Sequence, residues 1–155
     1  MSAYHVAQIN IAQMVDAINS ETMSGFVARL DEINALADGA PGFVWRLQTD
    51  DGNATSLRVF DDNMLIVNMS VWEDMDSLRN YVYKTAHAEL IKMRKQWFEK
   101  LGTPHMAIWY VPAGDIPTVE EATSKLDYLE AHGPTPQAFT FARDYTVDAW
   151  LALTH

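Results

Sequence analysis

The sequence predicts an α+β chain built on one antiparallel sheet, with elements in the order β, α, β, β, α, β, then a further helix and a short strand. Three observations point there. Met64 to Trp72 alternates in period two, as a strand does. Leu78 to Leu101 repeats apolar residues at helical spacing. Clusters of Gly and Pro at 38–42, 102–104 and 133–136 separate the periodic segments. This order is the ferredoxin-like βαββαβ arrangement with an appended helix and strand. One domain over residues 1–155 is expected, with a core from 4 to 141 and a C-terminal tail from 142 to 155.

Tyr4 to Ile11 is the first strand. Alternation sets Tyr4, Val6, Gln8 and Asn10 on one face and His5, Ala7, Ile9 and Ile11 on the other. Two side-chain amides on one face need hydrogen-bond partners. A helix follows over about Thr22 to Ala37, stopped by Asp38, Gly39, Pro41 and Gly42. Phe43 to Leu47 is the second strand, and the Asp51-Gly52 turn leads toward a hairpin extension at Leu57 to Phe60.

The third strand, Met64 to Trp72, sorts cleanly. Leu65, Val67, Met69 and Val71 form an apolar face suited to lie under helices. Asn68, Ser70 and Trp72 share the other face with Ile66. An amide, a hydroxyl and an indole N–H together fit a cavity wall, an exposed face or a satisfied polar network. Asp74 or Asp76 is placed to cap a long helix from Met75 to Lys100, with a bend near Tyr83 to Ala86. Gly102, Thr103 and Pro104 end it, and His105 to Val111 is the fourth strand. Thr118-Val119-Glu120-Glu121 reads as a capped start of a third helix, which runs to His132. Ala138 to Phe141 is a short last strand, and a tail bearing Tyr145, Val147, Trp150 and Leu151 is expected to dock on the domain or a partner.

Composition bounds the function. Hydrophobic residues make up 48% and charged residues 21% of the 155, which describes a soluble globular chain. With no cysteine, disulfides, thiolate catalysis and thiolate metal sites are excluded. A net charge of -10 repels phosphate backbones and anionic lipid, so neither nucleic acid nor membrane is an expected partner. Neither a leader pattern nor a membrane span is visible, and a cytoplasmic location is expected. Five histidines without i, i+3 or i+4 pairing make a dedicated zinc site improbable.

His87 and Arg94 fall inside the apolar arc of the long helix, two turns apart, whereas Lys84, Glu89, Lys92 and Lys95 lie opposite. An imidazole and a guanidinium aimed at an apolar interior need partners there. For either residue alone, a backbone carbonyl, a carboxylate such as Asp76 or Glu121, or a tip reaching water supplies one. Together they favour a site.

The segments HVAQINIA, GFVWRL, NMSVWED, YKTAH followed by RKQWF, PAGDIPTVEEA and HGPTPQAFTF resemble a bacterial family known as domain of unknown function 3291, over about residues 4 to 141. That family is grouped with the dimeric α+β barrels, which include antibiotic-biosynthesis monooxygenases and heme-degrading monooxygenases. The resemblance implies a homodimer and a cavity between the sheet and the helices of each subunit. Heme-degrading members use an Asn on the first strand, a Trp on the third and a His on the second helix as iron ligand. Asn10, Trp72 and His87 stand on the corresponding elements, though Trp72 and His87 are some five residues further apart than in that pattern. Cofactor-free members oxidise phenolic or quinol-like polyketides with O₂, holding the substrate with Asn and Trp, parts that Asn10 or Asn68 with Trp72 resemble.

The expected function is therefore a monooxygenase-like enzyme acting on an apolar aromatic or polyketide-type small molecule. His87, Asn10 and Trp72 are its candidate catalytic residues, and Asn68, Arg94, Gln8, Ser70 and Tyr83 its candidate substrate-binding residues. No cofactor is expected in this reading. Heme binding or breakdown with His87 on the iron is the alternative, and a non-enzymatic small-molecule binder is the third.

Overall fold

The strand Tyr4–Met14 (β1) lies at the centre of the sheet in the computed structural model, which describes residues 4–14, 21, 23–47, 65–84, 98–99 and 106–153. It is followed by α1 (Ser24–Asp38), β2 (Phe43–Arg46), β3 (Leu65–Trp72), α2 (Met75–Lys84), β4 (Phe98–Glu99), β5 (Met106–Pro112), α3 (Val119–His132) and the short α4 (Val147–Leu151).

β3 runs antiparallel along one edge of β1, from Val6↔Trp72 to Gln13↔Leu65. On the other edge β5 pairs with Tyr4 to Asn10, and β4 prolongs that edge at Gln13 and Met14. β2 lies outside β3. The spatial order β2-β3-β1-β5, all antiparallel, is the ferredoxin-like sheet of an α+β fold.

Both sheet faces are covered, and this decides the sequence pattern. Ala7, Ile9, Val67, Met69, Val71, Ala107, Trp109 and Val111 pack under Ala122, Leu126 and Leu129 of α3. The opposite face, with Val6, Trp72, Ile108 and Tyr110, packs under Ala37 of α1 and Leu78, Tyr81 and Val82 of α2. The wholly apolar face thus takes α3, while α1 and α2 lie over the face bearing Gln8, Ser70 and Trp72. β5 is buried from Ala107 to Val111 because it meets side chains on both sides.

Local chemistry sets the element ends. Asp74 Oδ1 accepts the Ser77 N–H at 2.8 Å, capping α2. Thr118 Oγ1 accepts the Glu121 N–H at 3.1 Å, capping α3. Between α1 and β2, Gly42 has φ +81 and accepts the Glu73 N–H on its carbonyl at 2.7 Å, and a Cβ there would overlap the Ser77 side chain. Only glycine meets both conditions.

Three expectations need correction. Phe98 and Glu99 are strand, paired with Met14 and Gln13, so the helix does not continue through Lys100. β1 extends beyond Ile11 to Met14. The segment from Ala138 to Phe141 is not a full strand but two isolated bridges, Thr135↔Ala138 and Ile108↔Phe139. The hairpin extension at Leu57 to Phe60 and the Asp51-Gly52 turn lie outside the described residues, and of the bend expected near Tyr83 to Ala86 only Tyr83 and Lys84 are described, as the last residues of α2. The tail docks on the domain. Tyr110 Oη donates to the Tyr145 carbonyl at 2.6 Å, Tyr145 Oη to that of Pro134 at 3.1 Å, and Trp150 meets Tyr4 edge-on at 5.0 Å.

Candidate active site

The register of β1, β3, β5 and β2 lays three rungs across the face under α1 and α2. Phe43, Trp72, Val6 and Tyr110 form an aromatic rung. Arg46, Ser70, Gln8 and Ile108 form the next. Asn68, Asn10 and Met106 form the third. Burial falls along this series: Trp72 is 0% exposed, Ser70 and Gln8 are each 6% exposed, Asn10 is half-buried and Asn68 exposed. The face therefore runs from a dry aromatic end to an open amide end.

One chain of hydrogen bonds links the three rungs. Trp72 Nε1 donates to Ser70 Oγ at 2.8 Å, and Gln8 Nε2 donates to the same oxygen at 2.8 Å. Gln8 Nε2 also donates to Asn68 Oδ1 at 2.8 Å. An indole N–H can only donate, so Ser70 must accept from it. With two donors on its oxygen, Ser70 has its own hydrogen left for a third direction. Gln8 spends both amide hydrogens, and Asn68, which is exposed and accepts from Gln8 on Oδ1, retains its NH₂ as a donor group. Asn10, cross-strand neighbour of Asn68, makes no side-chain hydrogen bond among the described residues.

At the dry end the Trp72 indole is enclosed. Tyr81 stacks on it at 5.0 Å and 29°, and Phe43 meets it edge-on at 5.5 Å and 78°. Trp72 has no exposed surface, and its one N–H is taken by Ser70. Burial pushes the Tyr81 phenol well above the ordinary tyrosine range; Arg46 opposes this and Asp38 adds to it.

The sequence match decides the family. Residues 5–154 match the family described as Domain of unknown function (DUF3291). The chain belongs to that family. No curated protein matches it. Among solved structures, the DUF3291 chain is similar to SnoaB, a cofactor-independent oxygenase from Streptomyces nogalater, at 18% identity and TM-score 0.46, covering 77% of this chain and 100% of that one. A provisionally assigned antibiotic biosynthesis monooxygenase from Nitrosomonas europaea is 14% identical, with TM-score 0.46 over 76% of this chain and 96% of that one. A dabb family protein with a ferredoxin-like fold from Mesorhizobium loti is 11% identical, with TM-score 0.44 over 74% and 99%. Likeness of this degree carries no argument about chemistry.

Of the residues singled out in the DUF3291 sequence, Gln8, Asn10, Asn68, Ser70 and Trp72 come together on one face. His87 and Arg94 lie outside the described residues, and Tyr83 stands in the last turn of α2 with its side chain outside them. Among the described residues, no group of three His, Cys, Asp or Glu stands where it could hold a metal ion, and no helix is long and apolar enough to cross a membrane.

Sequence reasoning missed Arg46. Strict alternation from an inward Phe43 would send Arg46 to the α3 side. A bulge between Phe43 and Trp45 sets Trp45 opposite Val71 and Arg46 opposite Ser70, so Arg46 joins the polar rung. Its Nε donates to Asp38 Oδ1 at 2.8 Å and its Nη2 to Oδ2 at 3.3 Å, tying β2 to the last residue of α1.

Proposed function

We propose that the DUF3291 chain is a monooxygenase-like enzyme that binds an apolar aromatic small molecule between the sheet and α1 and α2. In this reading the molecule's oxygen lies against the amide end. The observation that carries the reading is the polarity of the Trp72–Ser70–Gln8–Asn68 chain, which leaves hydrogen-bond donors facing the open end of an otherwise apolar face. Such donors suit an oxygen on which negative charge develops.

The reaction class is oxygenation of an activated CH₂ between aromatic rings, ArCH₂Ar + O₂ → ArCOAr + H₂O. The substrate carbanion, stabilised as its enolate, is the reductant, so no metal or cofactor is required for balance. Asn68 and Asn10 hold the enolate oxygen, Gln8 and Ser70 fix their orientation and line the wall, and Trp72 orients Ser70. His87 is assigned to proton removal, Arg94 to charge and Tyr83 to lining. The chain acts as a homodimer, as the family resemblance implies, and light scattering is expected to give twice the mass of one chain.

Anthrone tests the function. Oxygen uptake with anthraquinone formation is expected, falling at least about tenfold in Asn68→Ala and in His87→Ala. Thermal stabilisation by anthrone without oxygen uptake would make the protein a binder, and a Soret band with hemin, lost in His87→Ala, would make it a heme protein. Neither uptake nor stabilisation would end the small-molecule reading.

A further inference from the structure

We propose that the segment from Asp144 to Leu151 is a strap that lifts as one unit from the α1 and α2 side of the sheet, uncovering an aromatic floor made by Tyr4, Tyr110 and Phe139. The strap closes the dry end of the face, and it does so whether or not the face binds a small molecule.

Cover and floor differ in burial. Val6, Ile108, Tyr110 and Phe139 are buried, and Tyr145, Val147 and Trp150 pack against them while staying partly exposed themselves. No residue of α4 is buried, and its Leu151 is 40% exposed. The floor has support of its own, because the Phe139 N–H donates to the Ile108 carbonyl and the Ile108 N–H to that of Phe139, each at 2.9 Å. The segment thus supplies a cover without a core. Segments with few buried apolar groups open at a lower free energy than the strands beneath them.

The attachments join the segment into one body. Arg79 of α2 pairs with Asp144 at its start, both side chains lying at the surface. Tyr110 Oη donates to the Tyr145 carbonyl at 2.6 Å, and the Tyr110 ring lies 6.1 Å from that of Trp150, which also meets Tyr4 edge-on at 5.0 Å. One floor residue therefore grips both the beginning and the end of the strap. Thr146 Oγ1 accepts the Ala149 N–H at 3.2 Å, so the cap of α4 couples the helix to Tyr145. Upstream, the Arg143 N–H donates to Thr140 Oγ1 at 3.3 Å and the Thr140 N–H to the Arg143 carbonyl at 3.4 Å, a closed turn just before Asp144. That turn is the pivot. Lifting the strap breaks the bond from Tyr145 Oη to the Pro134 carbonyl, frees the Tyr110 hydroxyl and admits water to the rung of Phe43, Trp72, Val6 and Tyr110.

Amide hydrogen exchange of the whole chain, read residue by residue by NMR, gives the test. The Trp150 and Ala152 N–H groups, bonded to the Thr146 and Asp148 carbonyls, should share one protection factor, at least about tenfold below those of Ile108 and Phe139. Tyr110→Phe keeps the ring and removes the hydroxyl; it should speed exchange at Trp150 and Ala152 by one common factor of about 2–10. Arg79→Gln should speed both by up to about fivefold, Asp144→Asn should match it, and the two together should add nothing more. None of these substitutions touches a hydrogen bond within α4.

Equal protection of Trp150, Ala152, Ile108 and Phe139 in the wild type would mean that the strap leaves only when the whole domain unfolds, and would overturn the proposal. A wild-type gap that neither Tyr110→Phe nor Arg79→Gln moves would reduce the opening to fraying of α4 by itself, and would overturn it too. Should Tyr110→Phe fail to fold, Arg79→Gln and Asp144→Asn, which alter only surface groups, decide between a strap and a frayed helix.

Discussion

Ser70→Ala removes one oxygen that accepts two hydrogen bonds, from Trp72 Nε1 and Gln8 Nε2, each 2.8 Å long. Trp72 is 0% exposed, so its stranded N–H has no route to water. An orphaned buried donor costs about 1–3 kcal/mol. Gln8 loses one of two bonds and keeps Asn68, a loss of ~0.5–1.5 kcal/mol. The substitution should therefore destabilise the chain by about 2–4 kcal/mol, lowering the urea midpoint by about 1–2 M. Trp72→Phe deletes the donor that needs the oxygen. Ser70→Ala made in that background should cost about 1–2 kcal/mol less than in the wild type, which equilibrium unfolding of all four proteins would measure as a coupling energy. A Ser70→Ala protein within about 0.5 kcal/mol of wild type, or strict additivity of the two changes, would refute the polarity assigned to this chain.

Other positions make equally definite claims. Gly42→Ala should lower stability by about 2–4 kcal/mol in urea unfolding, because a Cβ at φ +81 is strained and also meets Ser77 on α2. Thr118→Ala should cost about 1 kcal/mol by removing the cap at Glu121, and Thr118→Ser should restore most of it. Alkaline pH should destabilise the protein through Tyr81 and Tyr110. Burial raises both phenols above the ordinary value, so the folded state holds its protons more tightly than the unfolded state. The stability they contribute is complete below about pH 10 and is lost above it, a slope that Tyr81→Phe combined with Tyr110→Phe should flatten in unfolding curves measured at successive pH values.

Much of the fold was legible in the sequence because β1 and β3 alternate strictly, and their pairing then places Gln8, Asn10, Asn68, Ser70 and Trp72 on one face. The caps at Asp74 and Thr118 were legible too, since a short acceptor before an apolar run acts locally. Two features were not. The face that takes α1 and α2 cannot be told from periodicity when α3 covers the other side, and the apolar pattern of β3 pointed equally well to either layer. Phe98 and Glu99 continue a helical period yet pair with Met14 and Gln13, so contacts distant in sequence override the local pattern there. Arg46 was hidden for a third reason, since nothing in FVWR announces that an extra residue shifts the sidedness of those after it.

That extra residue bears on how members of the family should be matched to one another. Phe43 and Arg46 are three positions apart, an odd separation that in a regular strand would set them on opposite sides. A relative shortened by one residue between them would keep both groups over the same neighbours in an unbroken ladder. A relative of equal length that lost the irregularity would swap an indole for the guanidinium with no change of amino acid. Parity across β2, counted from the aromatic that covers Trp72, is therefore the quantity to compare before any substitution at Arg46 is given a chemical meaning.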